Sequence, residues 1–199
     1  MVSMFLMLGM TSPVETVYNN SKLDFLLTRC EKEGVQNLER ESALKFHKLI
    51  NKHRLQNKKS SLEWNNSLWL VSYNHNVWMS GNKKLSHSET KGTVGFTGIY
   101  PAERTAFVFV ESVFNSAEAN SYYGENVLSY VGDRHKMTAD NIANTAFLQW
   151  KKSPGHNENM LDETLKVHGT AFKIAPDGRV WATDLFFDKI NISVTVKSP

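Results

Sequence analysis

Hydrophobic side chains first fall into a regular pattern just after Glu39. Ala43, Phe46, His47, Ile50 and Arg54 recur at three- to four-residue spacing with Leu49 beside them, which predicts an amphipathic helix over about 40–56. Lys58, Lys59, Ser60 and Ser61 then make a polar break. Asn65 or Asn66 supplies a cap for a second helix, whose inward stripe is Leu68, Val71, Ser72, His75, Trp78 and Met79 and whose end is Gly81-Asn82. Residues 86–124 are mostly irregular, with one short helical piece at Pro101, where proline suits a first turn and Glu103 favours a helix N-terminus. Thr138 or Asp140 opens a third helix through Ile142, Ala143, Ala146, Phe147 and Trp150, and Pro154-Gly155 terminates it, leaving a brief turn at 157–163.

The period then changes from near four to two. Gly169 to Ile174 and Arg179 to Phe187, joined by Ala175-Pro176-Asp177-Gly178, read as a β-hairpin with a four-residue loop. Ile192, Val194 and Val196 suggest a last edge strand or tail over 191–199. Helices first and strands afterwards predict the α+β class, with helices packed on a mostly antiparallel sheet. The domain is expected over 39–190, after a leader or linker at 1–38.

Composition narrows the function classes. A net charge of +3, dispersed and without a run of Lys or Arg, gives no basis for nucleic-acid binding. The one cysteine, Cys30, rules out an intrachain disulfide and a cysteine-based zinc site, and no motif surrounds it to make it reactive. No stretch approaches the ~20 apolar residues of a membrane-spanning helix. The apolar run from Met4 to Met10 has no preceding Lys or Arg and no clean cleavage pattern, so it reads poorly as a signal segment, at best a remnant of one. Asn19, Asn65 and Asn191 stand in Asn-x-Ser sequences, of consequence only where the source glycosylates.

Three short segments place titratable groups at breaks between elements, where binding and catalytic groups concentrate. They are Leu85-Ser86-His87-Ser88, Tyr123-Gly124-Glu125-Asn126-Val127, and the stretch holding Trp150, Ser153 and His156. Taken with Asn51, Arg54, Trp64-Asn65, Phe96-Thr97-Gly98, Arg104, Asn159-Met160-Leu161 and Gly169-Thr170-Ala171, their order resembles the CAP superfamily, also called SCP: cysteine-rich secretory proteins, antigen 5 and plant pathogenesis-related proteins. The likeness extends to Asp184-Leu185-Phe186 and covers about 40–188, and the scarcity of cysteine and the Ser-Pro-Gly-His wording resemble its bacterial branch.

The resemblance implies a three-layer α-β-α sandwich and a cleft lined by two histidines and two acids. His87 and His156 match the histidines and Glu125 one acid, with Asn126, Trp150 and Asn159 in support. Where the resemblance expects the second acid, this chain has Ser153. Two imidazoles and one carboxylate would suit Zn2+ or another divalent cation, with a position left for water. Without metal the same three make a hydrogen-bonded polar cluster that responds to mild acid. The resemblance further implies a secreted or surface protein that binds a lipid, sterol, peptide or protein. A metal-dependent hydrolase using His87, Glu125 and His156 and a purely structural domain are the alternatives. His75 is expected to be a satisfied core histidine. His47, His53, His135 and His168 are expected to be structural or solvated, and Trp78, Trp150 and Trp181 to belong to the core.

Overall fold

The computed structural model describes residues 37–109 and 122–189. The expected edge strand at 192–196, the leader and Cys30 lie outside them. Among the described residues the elements run α1 (Asn37–Gln56), β1 (Glu63–Trp64), α2 (Asn66–Asn82), α3 (Pro101–Phe109), β2 (Tyr123–Val131), a 3-10 turn at Arg134–Lys136, α4 (Ala139–Lys152), α5 (Pro154–Leu161), β3 (Val167–Ile174) and β4 (Arg179–Phe187). The sheet order is β1-β3-β4-β2, antiparallel except for the short parallel pairing of β1 with β3.

Alternation along β4 divides the core in two. Val180, Ala182 and Phe186 face α1, α4 and α5, where Ala43, Phe46, Ile50, Ala146 and Trp150 meet them. Leu185 and Phe187 face the other way, with Leu68, Val71 and Tyr73 of α2 and Val108 of α3. Helices thus cover both faces of the sheet, and the fold is the expected α-β-α sandwich of the α+β class. Phe46 meets Trp150 edge-on at 5.2 Å and Phe147 at 6.4 Å, aromatic contacts that join α1 to α4.

The helix limits follow local chemistry. Asn65 Oδ1 accepts the Leu68 amide at 2.9 Å and caps α2, and Thr138 Oγ1 accepts the Asn141 amide at 3.2 Å and caps α4. Arg54, fully buried, closes the far end of α1: it donates to the carbonyls of Ser60, Met160, Asp162 and Leu165 and so ties that helix to α5.

Two expectations need correction. Pro154-Gly155 does not open a loop. Proline cannot continue α4, but at a first helical position it forfeits no hydrogen bond, so α5 starts at once and takes in residues assigned to the turn at 157–163. Ser153 is both the last cap of α4 and the first of α5. The irregular stretch also ends in a nine-residue strand, β2, which the sequence hid because Gly124, Glu125 and Asn126 break the apolar alternation.

α2 lies on β3 at backbone distance. Ser72 Oγ donates to the Gly169 carbonyl at 2.6 Å and Asn76 Nδ2 to that of Ala171 at 2.9 Å. A Cβ on Gly169 would stand 2.2 Å from the Trp69 amide nitrogen, so no side chain fits there. Gly169→Ala is therefore expected to destabilise the protein by about 3 kcal/mol, the upper part of the overpacking range, because backbone and not a flexible side chain must yield. Urea unfolding of the variant against the parent checks this.

Candidate functional site

The triplet Gly124-Glu125-Asn126 on β2 divides its work by strand alternation. Glu125 faces α2, and Asn126 faces α5. Gly124 sits under Asn159, whose side chain would lie 3.1 Å from an added Cβ. Asn126, buried, donates from Nδ2 to the His156 carbonyl at 3.0 Å and accepts from Asn159 Nδ2 at 2.9 Å. That pair of amides docks α5 on β2 and fixes the backbone of His156. Trp150 Nε1 donates to the Val127 carbonyl at 3.4 Å from within the core.

Glu125 has both carboxylate oxygens engaged. Oε1 meets His87 Nδ1 at 2.9 Å, and Oε2 accepts a hydrogen bond from Arg104 Nη2. Arg104, on α3, is fully buried and also donates from Nη1 to the carbonyls of His87 at 3.0 Å and Ile99 at 3.2 Å. Burial alone would raise the Glu125 pKa. Arg104, the His87 hydrogen bond and the charges of His75 and His87 outweigh it and hold the carboxyl below its usual value. With an anionic acceptor at Nδ1, neutral His87 carries its proton there and keeps a lone pair at Nε2. Its side chain is 56% exposed although its partner is almost wholly buried.

His156 lies on α5 within electrostatic reach of His87. Burial, then the charge of His87, lower its pKa below the ordinary histidine value. The structure thus joins His87 directly to Glu125 and sets His156 near them, and Asn126 and Asn159 hold the α5 side. Ser153 makes no side-chain capping bond at the α4–α5 junction.

These surroundings test the metal set. A cation on Glu125 would displace His87 or Arg104 and would lie against a guanidinium. Glu125 therefore fits the part of an orienting partner for His87 better than that of a ligand. Among the described residues no group of three or more His, Cys, Asp or Glu is arranged to hold a metal ion. The imidazoles of His87 and His156 remain as donors.

The buried partners of other histidines were less legible. His75, in the core as expected, meets Glu89 Oε1 at 3.0 Å and the Ser86 carbonyl at 2.8 Å. His168 joins His47 Nδ1 at 2.7 Å to Asp184 Oδ1 at 2.9 Å, and Thr170 Oγ1 donates to the same Asp184 oxygen at 2.7 Å. His53 meets Asn157 Oδ1 at 2.9 Å, while His135 is exposed. The role of Arg104 had one signal, its place in the resemblance; nothing in the spacing of His47, His168 and Asp184 announces their contact.

The CAP model, the cysteine-rich secretory protein family, matches residues 47–187. An outer surface protein from Borrelia burgdorferi is similar in structure, with a TM-score of 0.56 at 17% identity over 74% of this chain and 92% of that one. An extracellular SCP-domain protein from Bacillus anthracis str. Ames is also similar, with a TM-score of 0.55 at 20% identity over 76% of this chain and 41% of that one. At these identities the likeness shows the fold. No curated protein sequence matches the chain.

Removing one partner of the buried pair leaves the other charge unmatched, so Arg104→Met is expected to cost about 3–5 kcal/mol, of which Arg104→Met/Glu125→Leu recovers only the part due to the unpaired carboxylate, since the His87 and Ile99 carbonyls stay without their donor. Urea unfolding of the single and double variants checks this. His47 is lowered to about 4, first by burial, then by the charge of His168; Asp184 opposes the shift and Lys48 adds slightly to it. A histidine pKa depressed by folding gives stability that is present above the unfolded value near 6.5 and lost as pH falls towards about 4. The parent is expected to weaken as pH drops from 7 to 4.5 by more than His47→Gln does, which denaturant melts at the two pH values measure.

Proposed function

The chain belongs to the CAP family, the cysteine-rich secretory protein family, and we propose that it acts at the cell surface or outside the cell as a binding module for a lipid, peptide or protein, its cleft organised by Arg104, Glu125 and His87. The observation that carries this is the state of Glu125: buried, ionised and held by both Arg104 and His87. A carboxylate so held presents an exposed imidazole in a fixed orientation to whatever meets it, and the position of the second acid is Ser153. An extracellular setting is supported by the names of the two similar proteins, an outer surface protein and an extracellular protein. No helix among the described residues is long and apolar enough to cross a membrane.

His87 and His156 would together hold a divalent cation such as zinc, with Glu125 orienting His87 behind the metal. Bound there, the ion would supply a Lewis-acidic point for a donor atom of the ligand. His156 contributes a neutral ring at neutral pH, since burial and its neighbour disfavour the imidazolium.

Calorimetric titration with zinc at neutral pH is expected to show weak, saturable binding that disappears in His156→Ala. Ser153→Glu, restoring the missing carboxylate, is expected to tighten it roughly tenfold through the added ligand charge. Absence of binding in the parent would remove the metal from this function, and turnover of ester or peptide substrates that is lost in His87→Ala would replace the binding module by a hydrolase.

A further inference from the structure

The α2 face of the sheet also borders a recess beyond Glu125. Ser129 stands on β2 four residues beyond Glu125 and therefore on the same face. Around it, between the end of α2 and the turn joining β3 to β4, opens a cavity of about 690 Å3 whose walls include Lys83, Leu85, Ser129, Asp177, Arg179 and Trp181. Its size lies within the range of small-molecule sites, ~300–1,000 Å3.

Its chemistry is asymmetric. Leu85, 50% exposed, and Trp181, only 4% exposed, supply apolar wall, with Ala175 and Pro176 beside them. Arg179 donates from Nη1 to Ser129 Oγ at 3.3 Å, and its guanidinium lies over the Trp181 ring, 5.9 Å from the centroid. That spends one of five guanidinium protons. The nearby acid is engaged with the main chain. Asp177 Oδ1 accepts the Arg179 amide at 2.9 Å and braces the turn that Gly178 completes at φ 85°. Counting Lys83, Arg179 and Asp177, the lining carries a net positive charge.

Lys83 brings the second cation of the lining. It ends α2 in the left-handed conformation, φ 51°, with its amide directed to the carbonyls of Met79 and Ser80. Glycine adopts that conformation without the Cβ penalty and is the common residue at such a helix end. Here a lysine takes that place, and it lines the cavity.

We propose that this cavity binds a small aromatic anion, with its negative group between Lys83 and Arg179 and its ring against Leu85, Pro176 and Trp181. Carboxylate and phosphate ester share the required chemistry: a charged oxygen cluster to receive two cationic donors, on a flat apolar body. The site uses neither His87 nor His156, and its test is independent of the zinc titration.

Calorimetry on the full chain, with 1-naphthoate, 1-naphthyl phosphate and the neutral 1-naphthalenemethanol, tests it. Both anions are expected to bind saturably below about 1 mM and to lose about tenfold or more in affinity in Lys83→Gly and in Arg179→Gln, as loss of a charge-assisted hydrogen bond requires. The neutral compound is expected to bind more weakly and to change less than about twofold between parent and variants, since it makes none of those charged bonds. Lys83→Gly relaxes the helix end while deleting the cation, so a loss there does not arise from misfolding. Tighter binding of the phosphate ester than of the carboxylate, or the reverse, identifies which anion the site prefers. No saturable binding of either anion, equal losses for charged and neutral compounds, or inorganic phosphate binding as tightly as its naphthyl ester would overturn the proposal.

Discussion

A carboxylate buried in the middle of a strand is costly unless charge and hydrogen bonds meet it from every side, and the arrangement around Glu125 is set by that requirement. Arg104 reaches it from α3, a short helix whose first residue is proline, and the same guanidinium holds the His87 and Ile99 carbonyls. The loop between α2 and α3 is thereby tied to the sheet through one side chain. His87 completes the shell of Glu125 from outside, so the exposed imidazole inherits its orientation from a buried ion pair.

The neighbouring position on β2 has the complementary role. Asn126 turns to the other face and binds the backbone of α5, where His156 sits. Two consecutive residues of one strand thus govern both sides of the candidate site, one through charge and one through amide hydrogen bonds. Alternation of side chains along a strand makes this division possible, and the narrow space above Gly124 lets Asn159 close against it.

What the sequence disclosed follows from the range of the physics behind each feature. Helices α1, α2 and α4 and the β3–β4 hairpin rest on local periodicity and on caps such as Asn65 and Thr138, which neighbouring residues declare. β2 escaped because its polar triplet is buried for reasons that lie in α3 and α5, far along the chain. α5 escaped because proline signals the end of one helix and the beginning of another equally well. The segments of His87, Glu125 and His156 stand out by their place at breaks and are joined by resemblance, whereas the pairing of Glu125 with Arg104 needed coordinates, since 21 residues separate them. The link from His47 to His168 spans 121 residues and carries no local mark.

Many of the clamps described above run from a side chain to a main-chain carbonyl: Arg54 to four of them, Arg104 to two, and Ser72, Asn76 and Asn126 to one each. A carbonyl is present whatever residue bears it. Each such bond therefore constrains one position in the sequence and leaves the other free, unlike an ion pair, whose two members must change in step. An architecture fastened in this way needs few coordinated substitutions to persist, and its surface and much of its core are free to drift while the layers keep their places.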